Sequence, residues 1–265
     1  MSLRINNNIE AFNAHRQLTG TSDRVQKSME RLSSGSRINR AADDAAGLAI
    51  SEKLRGQIRG LSQAQRNAQD AVSLVQTAEG SLGEVHSMLQ RVRELAVQYK
   101  AGTLSDSDKA AITAEANQLM SEIERIGSAA EFNGIKLLDA NATITFQVGA
   151  NDDDSQITVD TKDLATEVGT LDVATSGISE IDDAIEAVST LRGTFGAVQN
   201  RLEHTLGNLA TYQENLMASE SRIRDVDMAS EMVEFSKNQI LQQAGTSMLA
   251  QANQAPQSVL SLLRG

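Results

Sequence analysis

From Leu54 onward apolar side chains recur at every seventh position, through Leu61, Ala68, Val75, Leu82, Leu89 and Ala96. A second seam runs through Ala64, Ala71, Ala78, Val85, Val92 and Tyr99. Sustained heptads without a proline predict one helix from about Asp43 to Lys100, and at about 1.5 Å per residue it would span about 85 Å. A rod of that length has to pack along other helices. Asp43 and Asp44 suit its N-terminus, and Gly102 suits the left-handed residue that closes a helix. Ser105-Asp106-Ser107-Asp108 then reads as a capping box for a return helix carrying Ile112, Leu119, Ile123 and Ile126, with Gly127 as its terminator. The period next changes to two: Ile144, Phe146 and Val148, then Ile157 and Val159, alternate with polar residues, predicting a hairpin with Asp152–Asp154 at its tip. Heptads return at Ile181, Val188, Phe195, Leu202, Leu209, Leu216 and Ile223, with Ser179 and Asp182 placed to cap that helix. The predicted fold is mainly α: an elongated, antiparallel, coiled-coil-like bundle of long helices from both chain halves, with a small β-hairpin region in the middle.

The two ends carry a different pattern. Ile5, Ile9, Phe12, Leu18, Val25, Met29 and Leu32 form one apolar stripe, and Met232, Phe235, Leu241, Ala244, Met248 and Ala252 another, each opposed by Asn, Gln and Ser. Pro256 is expected to kink or end the last helix. The stripes can pair within one molecule, or order fully only against other copies, because modest helices in isolation bury little. The glycines at 56, 60, 80 and 83 of the long helix each cost about 1 kcal/mol relative to Ala, which close approach of another helix or copy would justify.

Composition narrows the function. Among 265 residues there are seven aromatics and no Trp, poor material for a compact globule, and with no Cys there is neither a disulfide nor a thiol nucleophile. The net charge of -11 is localised. Between Asp139 and Leu191 twelve acids face only Lys162, whereas the rest of the chain holds 23 charges of each sign. Nucleic acid is therefore an unfavoured partner. The first residues hold no apolar run of signal-peptide length, and no segment approaches the roughly 20 apolar residues of a membrane span. The expectation is a chain that is soluble, or exported without a cleaved leader.

Signals for chemistry are weak. No phosphate-binding GxxxxGK, dinucleotide GxGxxG, zinc-type HExxH or GxSxG element occurs, so an enzyme is not expected, and no cofactor. His15, His86 and His204 stand apart from one another and read as solvated. The Asp152–Asp154 cluster offers carboxylates to a cation but lacks the glycine and distal glutamate of an EF-hand. Asn141-Ala142-Thr143 matches a short glycosylation pattern. The eight Met are flexible fillers for cores or for sliding interfaces.

Longer motifs carry a resemblance. Leu32–Ser51 (LSSGSRINRAADDAAGLAIS) resembles the N-terminal signature of bacterial flagellins. Asn67–Gly80 (NAQDAVSLVQTAEG), Leu89–Val97 (LQRVRELAV), Phe132–Leu138 (FNGIKLL), Ser219–Ala229 (SESRIRDVDMA) and Ala252–Leu263 (ANQAPQSVLSLL) follow in that family's order. The resemblance implies a minimal flagellin without large outer domains. Its parts would be a filament-core helix and linker over 1–40, the first half of the rod over 41–130 and a hairpin with acidic outer segment over 131–176. The second half of the rod over 177–226 and a C-terminal filament-core helix over 227–265 complete them. It further implies an extracellular subunit of the flagellar filament, exported unfolded through the flagellar type III channel. Its partners would be other copies of itself, an export chaperone on the C-terminal helix, the hook-associated and cap proteins, and vertebrate Toll-like receptor 5, with neither nucleic acid nor membrane among them. The residues matching the receptor-recognition patch are Gln90, Arg91, Glu94 and Leu95, with Glu115 on the adjacent helix; Arg91, Glu94 and Leu95 at i, i+3 and i+4 would give an apolar anchor beside charges. A hook-filament junction protein and an acidic cation-binding adhesin are the alternatives. On the resemblance, the acids between Asp139 and Leu191 would lie on the outside of the filament and keep neighbouring filaments apart.

Overall fold

The computed structural model describes residues 8–151, 155–169 and 171–264, with the backbone alone from 255 onward. In chain order it holds α1 (Ile9–Ser34), α2 (Ala45–Tyr99), α3 (Asp106–Ala129), β1 (Glu131–Phe132), β2 (Ile135–Lys136), β3 (Ala142–Gln147), β4 (Gln156–Thr161), α4 (Leu164–Val168), α5 (Ile178–Arg224) and α6 (Met228–Arg264). The chain is mainly α, as expected, and divides into two compact units. One comprises residues 1–55 and 216–265, the other 56–215, so the boundaries fall inside α2 and α5.

In the larger unit both heptad seams of α2 are buried from Leu61 to Ala96, as are Ile181, Val188, Phe195, Leu202 and Leu209 of α5. The two helices run antiparallel: Gln65 meets Gln213 at 2.9 Å, Glu79 pairs with Arg192, and Arg93 with Asp182. Against the same core α3 contributes Ile112, Ala116, Met120 and Ile123. Its start is the expected capping box, in which Ser105 Oγ accepts from the Asp108 N–H and Asp108 accepts from the Ser105 N–H. Gly127, however, does not end the helix. It lies two residues inside, where a Cβ would come within 3.3 Å of Leu164, so its smallness admits α4 rather than terminating α3. Gly102 is likewise not left-handed; α2 closes at Tyr99 with the Ala101 N–H turning back to the Gln98 carbonyl. Of the glycines at 56, 60, 80 and 83, Gly60 meets a close neighbour, the Cβ of Ala150 at 3.0 Å, and the other three meet nothing within 4 Å, whereas Gly47 in the first turn of α2 lies against Asp44 and Ile38.

The expected hairpin is β3–β4, antiparallel with Ile144 opposite Val159 and Phe146 opposite Ile157. Its tip, Asp152–Asp154, lies outside the described residues. A second strand pair, β1–β2, has no period-two pattern to show in the sequence, because each strand has only two residues. The signal for it was Asn133-Gly134, whose φ values of 50° and 78° make the mirror-image turn that joins such strands. Ser179 and Asp182 do not cap α5, which begins one residue before Ser179; Asp182 instead takes the Arg93 guanidinium, which holds its carboxyl below the usual range.

In the smaller unit α1 and α6 pair along their lengths, antiparallel. Asn8 donates to the Ala252 carbonyl at 2.8 Å near one end, and Arg31 meets Glu231 at 3.4 Å near the other. Pro256 does not end α6, which runs on to Arg264. The loop after α1 is fastened to the junction between α5 and α6. Gly35 is left-handed, the Arg37 N–H donates to the Arg224 carbonyl, and the Val226 N–H donates to the Gly35 carbonyl. Asp44 caps α2 by accepting from the Gly47 N–H at 2.8 Å. Asp43 folds back onto α1 as partner of Lys27 at 2.7 Å and accepts from the N–H groups of Arg40 and Asn39.

These contacts, the Lys27 ammonium first and then the Arg40 amide, lower the Asp43 pKa to about 2. A carboxyl depressed below its unfolded value stabilises the fold fully above that value. Its contribution then falls as pH drops from about 4 towards about 2. With Lys27 half exposed, solvent screening reduces the term to about 1 kcal/mol. Urea unfolding across that range should show the smaller unit of Asp43→Asn losing less stability on acidification than the parent; identical pH slopes would contradict this role.

Candidate assembly surface

The terminal stripes do not stay together in the folded chain. On α6 the side chains turned towards α1 are Glu231, Phe235, Asn238, Gln242, Gly245, Leu249 and Ala252, at alternating steps of four and three. Opposite them Leu18, Val25, Ser28 and Leu32 of α1 are partly or wholly covered, and Leu18 Cδ1 would lie 3.2 Å from a Cβ at Gly245. Asn238 and Ser28 are the buried members of this seam, which is otherwise half wet. It therefore supplies little of the apolar burial that normally holds a helix pair.

Of the expected stripe residues only Leu18, Val25, Leu32, Phe235 and Ala252 serve this seam. Ile9, Phe12, Met29, Met232, Leu241, Ala244 and Met248 are exposed, Phe12 to 72%. Ile5 lies outside the described residues. The reason is angular: at about 100° per residue, Ile9 and Phe12 fall across the helix axis from Leu18 and Val25, so one continuous stripe was never available. Sequence reading also missed Val233 and Ile240, exposed to 69% and 66%. They sit on the far side of α6 from α1. Apolar residues thus occur on several sides of α6, in the seam, on its flanks at Met232 and Leu241, and on its back, where exposed Lys237 stands between Val233 and Ile240 and pairs with Glu234. Large apolar side chains left exposed on more than one side of a helix mark a surface suited to a further partner.

The second expected patch lies on α2 and α3. Gln90, Arg91, Glu94 and Glu115 are exposed together, and Arg91 bridges the other two charges, Nη1 to Glu94 at 3.0 Å and Nη2 to Glu115 at 3.0 Å. Those carboxylates raise the Arg91 pKa further. Leu95 does not join them. It is 1% exposed and packs in the core of the larger unit, because the position four residues after Arg91 has already rotated onto the buried seam beside Val92 and Ala96. The expected apolar anchor is a core residue, and the surface at this place is a charge cluster with Gln90 at its edge.

Among the described residues no group of three His, Cys, Asp or Glu could hold a metal ion, and no helix is long and apolar enough to cross a membrane. His86 approaches Gln90 at 2.9 Å, while His15 and His204 are exposed. None of the described acids between Asp139 and Leu191 is buried.

Paired terminal helices that leave Val233 and Ile240 exposed, in a chain whose larger unit has its own packed core, suit a structural subunit that associates. Residues 5–143 match the bacterial flagellin N-terminal helical region, and residues 178–263 the bacterial flagellin C-terminal helical region. The chain is 55% identical to the flagellin of Halalkalibacterium halodurans, over 98% of this chain and 99% of that one. It is 49% identical to the flagellin of Bacillus subtilis, over 99% and 100%, and 49% identical to the flagellar filament 33 kDa core protein of Treponema phagedenis, over 98% and 99%. The crystal structure of Bacillus cereus flagellin superposes with a TM-score of 0.50 at 36% identity, covering 54% of this chain and 88% of that one. A putative flagellar hook-associated protein from Vibrio parahaemolyticus, at 16% identity and a TM-score of 0.59 over 69% and 100%, shares the fold. The chain belongs to the bacterial flagellins, a family of structural proteins, not enzymes, that forms the extracellular flagellar filament.

Proposed function

We propose that this chain polymerises through α1 and α6 into the flagellar filament, and that it does so as a short flagellin in which the hairpin and acidic segment replace a large outer domain. The observation that carries this is the back of α6, where Val233 and Ile240 remain in water although the helix is already paired with α1. Further copies are what can cover that face. Purified chain added to filament fragments should elongate them, as seen by electron microscopy; chain that stays monomeric beside intact fragments would overturn the reading.

The finer parts of the proposal concern transit and recognition. A bare α6 would associate before export, so an export chaperone over Met232–Leu263 and passage of the unfolded chain through the type III channel fit the same surface; a chain cut before Met232 should not be retained by the chaperone. Hook-associated and cap proteins would meet the same helices at the ends of the filament. Recognition by Toll-like receptor 5 is supported by the exposed cluster of Gln90, Arg91, Glu94 and Glu115. Arg91→Ala with Glu115→Ala should reduce activation of receptor-bearing cells by about tenfold or more while leaving the fold intact, since exposed ion pairs contribute about 0–1 kcal/mol. Undiminished activation by that double variant would exclude the patch. Leu95→Ala is not a usable probe, because it opens a core cavity costing about 2–5 kcal/mol and confuses lost recognition with unfolding.

A further inference from the structure

The methionines among the described residues divide by unit. In the larger unit Met120 is buried and Met88 half-buried. In the smaller unit Met29, Met217, Met228, Met232 and Met248 are all exposed, at 48–64%. Thioethers usually fill cores, so five of them in water mark surfaces that are apolar for another purpose. The chain has no Cys and no Trp, which leaves these sulfurs as its most readily oxidised side-chain atoms. Met232 and Met248 lie outside the seam between α1 and α6, on opposite flanks of α6.

We propose that the exposed methionines of the smaller unit, Met232 and Met248 foremost, are an oxidation site through which a peroxide blocks self-association of the free chain. The proposal rests on the filament reading above. The thioether sulfur attacks one oxygen of hydrogen peroxide, an S–O bond forms as the O–O bond breaks, and the departing hydroxide takes the remaining proton to become water. Sulfur gives up two electrons and the peroxide accepts them. The product is a sulfoxide, a strong acceptor on a stiffer, polar side chain, and burying it between copies leaves that acceptor without a donor. Because the seam residues carry no sulfur, the pairing of α1 with α6 survives and the loss falls on contacts between copies. Packing into an assembly would shield the same sulfurs, so the sensitive species is the unassembled chain. Reduction of the sulfoxide restores the thioether.

The test uses the whole chain with hydrogen peroxide as the probe. Peptide mass spectrometry should place oxygen on the five exposed methionines well before Met88 and Met120. Circular dichroism should show the helices retained, and the concentration needed to elongate filament fragments should rise about tenfold or more, as expected when buried polar groups go unpaired. Replacing the five by Leu should give a chain whose elongation, at whatever level it starts, peroxide does not lower further, and enzymatic reduction of the sulfoxides in the oxidised parent should restore its elongation. Oxidised chain that assembles like untreated chain would overturn the proposal, as would inhibition that persists in the Leu variant or oxidation that reaches Met88 and Met120 equally fast. Untreated chain that does not elongate fragments would overturn the filament reading itself, and this proposal with it.

Discussion

Val233→Asp combined with Ile240→Asp should leave the monomer folded and abolish assembly. Both residues are about two-thirds exposed, seven positions apart, on the side of α6 turned away from α1. In the free chain the new carboxylates would sit in water and disturb neither the Asn8 to Ala252 hydrogen bond nor the Arg31 to Glu231 pair. Between copies each would be desolvated, and Lys237, the nearby cation on this face, is one charge shared among two new carboxylates and Glu234, so the cost remains several kcal/mol for the pair. A penalty of that size raises the concentration needed for growth by about a hundredfold or more. Sedimentation and electron microscopy with filament fragments should show no elongation, while circular dichroism shows unchanged helix. Val233→Ala with Ile240→Ala should be milder, since it removes contacts without burying charge. Filaments from the Asp pair at ordinary concentrations would mean that the back of α6 faces water in the assembly, and the polymerising surface would have to be sought elsewhere.

Heptads were legible in α2 and α5 because both helices bury two adjacent seams against partners from this same chain, so their pattern is answered within the molecule. The terminal helices were harder for the opposite reason. Their apolar residues answer to more than one partner, and a single stripe drawn through Ile9, Phe12, Leu18 and Val25 mixes residues that face α1–α6 pairing with residues that face away from it. The same ambiguity hid Leu95. The motif around it supplied a function for the whole segment, whereas helical rotation sends Arg91 to the surface and Leu95 to the core within one turn. Glycine misled in another way: Gly127 and Gly102 look alike as punctuation, yet only neighbours far along the chain reveal that Gly127 is there to let Leu164 approach. Capping chemistry is more local, and the Ser105–Asp108 box could be read directly, although Ser179 and Asp182, read in the same way, do not cap α5 because the helix begins before them and Asp182 is taken by Arg93.

Phe195→Ala should cost the larger unit about 3–5 kcal/mol, a large share of the roughly 5–15 kcal/mol that holds a typical domain. Phe195 is 1% exposed and is the largest fully buried side chain in the described structure. The surrounding seam is built from Ala, Val and Leu, side chains too small to close over the space a phenyl ring leaves. The helices on either side are held by their own backbone bonds and cannot collapse inward without breaking the heptad register along α2. Unfolding by urea, followed in the whole chain by circular dichroism, should show a transition moved to markedly lower denaturant for residues 56–215. The pairing of α1 with α6 has its own contacts, so signal from that unit should move much less. A variant whose transition shifts by under about 1 kcal/mol would mean that the ring is not filling the core as described. The comparison also separates the two roles of apolar residues in this chain: loss of Phe195 weakens the folded monomer, whereas charge at Val233 and Ile240 spares it and removes the contact between copies.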